Sequence, residues 1–186
     1  MNEKDYEEAA QFLNCEVAAI KAVAKVESNG SGFDSQGRIR ILFEGHVFYA
    51  LTKGKYGVTD ISYPKWAKKY YNLPQYDRFN KAFSLDKTAA KQSCSWGMFQ
   101  IMGFNYDKCG FGDVGSFIDF MKKSEKNQLL CFCRFVKARG LDDEIRNHQW
   151  AQFSYGYNGA GYKSNAYDTK LEKWYNYYKR NNGISF

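Results

Sequence analysis

Apolar residues return every third or fourth position along most of this chain, a spacing that buries one face of a helix and suits little else. Val17, Ile20, Val23 and Ala24 follow it, as do Phe79, Ala82, Phe83, Ala89 and Ala90. Residues 38–43 instead alternate as a strand does, with Ile39, Ile41 and Phe43 on one side. The pattern predicts a mainly α fold of the α+β kind, a helical bundle with one small β element. A first helix is expected over residues 6–13, opened by the capping-box spacing of Asp5 and Glu8. A second is expected over 15–28, capped by Asn14 and closed by Asn29-Gly30. Others are expected over 45–52, from Pro64 through Trp66 and Tyr70, and over 75–92, 113–123, 124–139, 149–155 and 167–180.

No repeat and no linker rich in Pro, Gly or Ser interrupts the 186 residues, so residues 1–186 are expected to form a single domain. The apolar runs are too short to span a bilayer. The N-terminal stretch is acidic and lacks the cationic-then-apolar order of a secretory leader. Five cysteines cannot all pair within one chain, and none stands in a CxxC pair. They read as reduced thiols used as small hydrophobes, and with two histidines no metal or other cofactor is expected. Net charge is +7, and the acidic opening (Glu3, Asp5, Glu7, Glu8 and Glu16 against Lys4) leaves the excess to the rest of the chain. A basic body attracts polyanions such as nucleic acid, anionic lipid or a bacterial envelope. With 15 Tyr, 15 Phe and 4 Trp, part of the aromatic content is free to serve as flat faces for sugars or bases. Trp96, Trp150 and Trp174 are assigned to the core, and Trp66 to neither core nor surface.

Glu27 is the residue that breaks the pattern. It extends the stripe of Val17, Ile20, Val23 and Ala24, while Glu16, Lys21 and Lys25 occupy the solvent side. A carboxyl withdrawn from water resists ionisation, and the negative end of a helix dipole adds to the effect. Such a group stays protonated near neutral pH, as a general acid must. The plainer alternative is a side chain at a helix end that turns into solvent or pairs with a lysine.

Three further blocks follow in order: Gly37-Arg38-Ile39-Arg40-Ile41-Leu42-Phe43-Glu44, Ser95-Trp96-Gly97-Met98-Phe99-Gln100, and Gly156-Tyr157-Asn158-Gly159. With Glu27-Ser28 the last two resemble the order found in goose-type lysozymes and soluble lytic transglycosylases, and the first is a mark of the family named next. More closely, the chain resembles the phage endolysin N-acetylmuramidase family, with further matches at Cys109-Gly110-Phe111, Ser124-Glu125, Gln128-Leu129 and Tyr167-Asp168. The likeness runs from about residue 15 to 175. It departs from many relatives at Ile39, where they have Pro, and at Gly45-His46, where they have Arg-His. The separate wall-binding module that many relatives carry at the N-terminus is not expected here.

The resemblance implies a lysozyme-like fold, with a substrate cleft between a small β-containing lobe and a helical bundle. It implies cleavage of the β-1,4 bond between N-acetylmuramic acid and N-acetylglucosamine in peptidoglycan. Glu27 would be the general acid and Glu44 the second carboxylate, with Asp34 in reserve. Glu44 also reads as a plain helix-start acid facing the dipole or bridging Arg40. Gln100 and Asn158 would bind or orient the glycan, and Gly97 would let backbone approach it. Tyr157 is either a stacking face for a pyranose or a core residue beside Phe153. Without a carboxylate to activate water, the sugar's 6-hydroxyl could attack instead, as in lytic transglycosylases. The partners implied are peptidoglycan strands and the anionic envelope, with no nucleic acid and no membrane segment, for a monomer. By the same resemblance the protein is made in the host bacterial cytoplasm and reaches the periplasmic wall through a holin-type release. The rivals are a nucleic-acid module using the aromatic and basic residues at 66–71 or 174–180, an inactive wall binder, and a chitin-directed hydrolase.

Overall fold

The computed structural model describes residues 1–28 and 30–181; Asn29, expected to help close the second helix, lies outside the described residues. Helix α1 (Glu3–Leu13) starts three residues earlier than its sequence suggests. Asn2, not Asp5, is the cap: its side chain accepts from the Asp5 amide at 3.1 Å while the Asp5 carboxylate accepts from the Asn2 amide at 2.9 Å. Asn14 terminates α1 in the left-handed region (φ 52°) and so cannot cap α2 (Val17–Glu27), which starts after Glu16 without a side-chain cap. Ala18, Ala19, Ile20, Ala22, Val23 and Ala24 are all buried, so α2 runs through the interior, packed chiefly against α10 (Tyr167–Arg180) and α1.

The β element is larger than the sequence suggests. Strands β1 (Ile41–Phe43), β2 (Cys94–Trp96) and β3 (Ile101–Met102) form an antiparallel sheet in the order β1-β2-β3. Ile41 faces Trp96 and Phe43 faces Cys94, while Ser95 faces Met102. The expected strand over 38–43 is shortened because Phe33 bridges Ile39 and the Arg40 amide turns to the Gly32 carbonyl.

Two expected helices change form. The helix over 75–92 is two, α4 (Gln75–Leu85) and α5 (Lys87–Gln92), because the extended Asp86 ends one and its carboxylate accepts from the Ala89 amide to cap the other. Past Pro64 there is only a 3-10 turn, Lys68–Tyr70, where Tyr70 stacks on Tyr63 with ring centres 4.1 Å apart. Helices α3 (Gly45–Leu51), α6 (Val114–Met121), α7 (Glu125–Ala138) and α9 (Trp150–Asn158) match their expected regions, and α8 (Asp142–Arg146) is an addition. One continuous core joins both parts, with Phe99 stacked on Phe132 at 4.5 Å. Trp96 and Trp150 are buried in it, Trp174 is only half-buried, and Trp66 is exposed. All five cysteines are free thiols. Among the described residues no helix is long and apolar enough to cross a membrane.

Candidate active site

Glu27 is the last residue of α2, and its carboxyl is brought against the last residue of α9. Asn158 Nδ2 donates to Glu27 Oε1 at 3.0 Å. Burial pushes the Glu27 carboxyl up to about 7, opposed by that single amide hydrogen bond. The carboxyl lines a cavity of about 300 Å³ with Gln100, Asn105, Arg139, Asn158 and Tyr167. Glu27 is the one carboxylate among the residues lining it.

The stretch Gly97 to Gln100 is the turn joining β2 to β3, and both its ends are left-handed, with φ 71° at Gly97 and 49° at Gln100. That conformation costs little for glycine and more for glutamine, whose own amide compensates. Gln100 Oε1 accepts from the Ser95 hydroxyl at 2.7 Å, and Nε2 donates to the Gly97 carbonyl at 2.8 Å. One lone pair and one N–H stay free to meet a substrate. Gly97 is small for a further reason: a Cβ there would lie 2.7 Å from Gln128 Oε1. Gln128, on α7 and fully buried, accepts from the Met98 amide at 2.7 Å and donates to the Met121 carbonyl, fastening the turn to the bundle.

Gln100 also lines an adjoining groove of about 650 Å³, with Asp34, Arg38, Arg40, Tyr76 and Gly97. Asp34 has no oxygen to spare. Oδ1 accepts from the amides of Gln36 and Arg38, and Oδ2 from the Arg38 guanidinium at 2.8 Å. Desolvation opposes ionisation, but these Arg38 and Gln36 donors outweigh it and hold Asp34 below the usual carboxylate range.

Tyr157 is a wall of the Glu27 cavity, not an open platform. Phe153 covers its face (centres 5.6 Å apart, planes 14° apart), Phe132 and Phe135 hold its edges, and its hydroxyl donates to the Phe99 carbonyl at 2.9 Å. That packing supports the core reading of Tyr157.

Glu44 follows β1 and precedes α3, and it is not among the residues lining either cavity. It is 8% exposed, with Oε1 accepting from the Tyr71 hydroxyl at 2.7 Å and Oε2 standing 3.3 Å from His46 Nδ1. Its amide donates to Ser93, tying it to the sheet.

A family model for N-acetylmuramidases matches residues 16–179. The chain belongs to the N-acetylmuramidase family. A crystal structure of the Burkholderia AP3 phage endolysin is 36% identical, with a TM-score of 0.92 over 98% of this chain and 72% of that one. Comparison with curated proteins gives no match. This muramidase is thus a peptidoglycan-degrading enzyme with a mainly α, lysozyme-like fold.

Several residues around the muramidase site escape the sequence. Tyr71, which holds Glu44, and Arg139, in the Glu27 cavity, carry no pattern signal. Arg78 does, since it stands four residues before Ala82 on the apolar face of α4. It is 2% exposed, with Nη1 donating to the Phe43 carbonyl at 2.9 Å and Nη2 to the Tyr63 hydroxyl at 3.0 Å. Gln75 Oε1 accepts from the Phe43 amide at 3.0 Å. Gln75 and Arg78 thereby satisfy the open edge of β1 just before Glu44.

Proposed function

We propose that this muramidase cleaves the β-1,4 bond between N-acetylmuramic acid and N-acetylglucosamine, with Glu27 protonating the leaving oxygen. The observation that carries the reading is the Glu27 carboxyl, raised to about 7 by burial and oriented by Asn158 in a cavity that shares Gln100 with a longer groove. At neutral pH a large share of such a group holds its proton. Gln100 and Asn158 present amides suited to acetamido groups, and Gly97 shapes the turn beneath the strand.

Glu44 is the proposed second carboxylate. Asp34 is a weak base because both oxygens are engaged by donors, whereas Glu44 Oε2 faces the His46 imidazole at 3.3 Å and accepts no hydrogen bond among the described residues. Lytic transglycosylation is the second reading, favoured by Glu27 being the one carboxylate among the described residues lining its cavity. Likeness to the Burkholderia phage endolysin supports a role in phage lysis of a host cell. In that role the enzyme is made in the cytoplasm, needs a holin-type partner, and acts as a monomer whose +7 charge attracts the anionic envelope. Residues 16–179 act as one catalytic unit.

Mass spectrometry of digested sacculi tests the chemistry: reducing muramic ends are expected, and 1,6-anhydro ends would reassign the reaction to transglycosylation. Glu27→Gln is expected to lose about 10²–10⁴-fold in rate while keeping its circular dichroism spectrum. Near-wild-type turnover by that variant would remove Glu27 from the acid's role.

A further inference from the structure

A second hollow, of about 530 Å³, lies beside the groove and shares Arg38 and Tyr76 with it. Its walls include Phe79, Phe83 and Trp96, and its rim carries Lys91 and Lys122. Asp119 is the one carboxylate among its lining residues, against three cations. Arg38 is stacked over Tyr76 at 4.1 Å and paired with Asp34, so it forms a fixed partition between groove and hollow. Lys91 lies 6.0 Å over the Phe83 ring, and Lys122, at the C-terminus of α6, is exposed and pairs with no carboxylate among the described residues.

An aromatic floor under a cationic rim fits a ligand with short apolar groups and several carboxylates, more than the single lactyl carboxylate that each muramic acid keeps once its peptide is removed. Peptidoglycan supplies one: each muramic acid bears a stem peptide whose side chains and terminus are acidic and whose alanyl and methylene groups are apolar. An extended four-residue stem reaches about 13 Å, enough to leave a glycan lying in the groove and pass over Arg38. We propose that this hollow receives the acidic stem peptide, with Lys91 and Lys122 taking its carboxylates. The inference rests on the muramidase reading of the groove and makes the enzyme selective for peptide-bearing wall over naked glycan.

The test uses three substrates: peptide-bearing glycan strands, the same strands stripped of peptide by an amidase, and peptide-bearing strands whose carboxylates have been amidated with carbodiimide and ammonia. Wild-type KM is expected to be lowest on the first, by about tenfold, what one charge-assisted hydrogen bond contributes. Lys122→Glu is expected to raise KM on the first substrate by a similar factor, change its kcat less than about twofold, and leave the stripped strands unaffected. Lys91→Gln is expected to act in the same direction and less strongly. The proposal is overturned if both variants handle all three substrates as the wild type does, or if they slow peptide-bearing and stripped strands equally. Wild-type enzyme releasing no new ends from any substrate would overturn the muramidase reading itself, a distinct outcome.

Discussion

Glu27 ends a helix and has one neutral amide for company, whereas Glu44 follows a strand and has a phenol, an imidazole and a backbone tied into the sheet. The first side chain is held by its surroundings' poverty. Apolar α2 keeps water away, and nothing cationic among the described residues is paired with the carboxyl, so it favours its proton. The second is held by a network that extends to Trp66, whose indole N–H donates to the Tyr71 hydroxyl. Just before Glu44, α4 fixes β1 through Arg78 and Gln75. One region sets protonation and the other sets position. In the proposed reaction two carboxylates of the same type thereby take different jobs on one chain.

The comparison breaks most severely at Arg78. Replacing it with Met leaves the Phe43 and Asp60 carbonyls and the Tyr63 hydroxyl without their buried donor. A loss of roughly 3–5 kcal/mol is expected, read from urea unfolding, because each orphaned acceptor keeps its desolvation cost. A change under about 1 kcal/mol would mean that the edge of β1 finds water instead. Next in size is Glu44→Gln, which keeps an acceptor for Tyr71 and removes the charge. It is expected to lower kcat by about 10²-fold with little effect on unfolding. Asp34→Asn should cost less than about tenfold in kcat, and an inverted ranking would hand the second carboxylate's role to Asp34.

The sequence displays these regions unequally, for physical reasons. Glu27 is legible because a helix has one buried face, and a carboxylate on it is an anomaly that spacing alone exposes. Asn158 and Gln100 were reachable only through the resemblance of their blocks, since no local rule ties residue 158 to residue 27 across the bundle. The sheet is half legible. The alternation over residues 38–43 marks β1, but β2 and β3 are three and two residues long, too short to establish a period. Their turn was readable as a motif and not as a hairpin, because Gln100 enters the left-handed region only with help from Ser95 and Gly97. Asp86 hid the break between α4 and α5 because apolar spacing survives a one-residue cap. Tyr71 depends on a loop whose path is set by the Tyr63–Tyr70 stack, a contact that no periodicity announces.

The poorly solvated side of the comparison carries its own stability signature. Glu27 ordinarily titrates near 4.5, and the fold moves it to about 7. The native state therefore holds the proton more tightly than the unfolded chain does. Its contribution is fully present below pH 4.5, declines between 4.5 and about 7, and stays lost above that. Glu27→Gln removes the titration, so it should match wild type at pH 4 and exceed it at pH 8 by about 2 kcal/mol. That figure is below full conversion of the shift because water reaches the mouth of the cavity. Thermal melts of both proteins at the two pH values decide it, and equal melting points at pH 8 would show the carboxyl to be ordinarily solvated.

The smallest effect isolates the amide. Asn158 donates to the carboxylate and so, among the described residues, is the one partner that lowers the Glu27 titration. Asn158→Ala removes that donor, leaving desolvation unopposed, and the falling limb of kcat/KM against pH should move upward. The movement is expected to be under about one pH unit, since a neutral donor favours the charged form by less than about 1.4 kcal/mol. A lower kcat/KM with an unmoved limb would make Asn158 a substrate ligand only. A downward movement would mean that water replaces the amide with better donors, in which case the protonation of Glu27 belongs to the cavity's hydration more than to its walls.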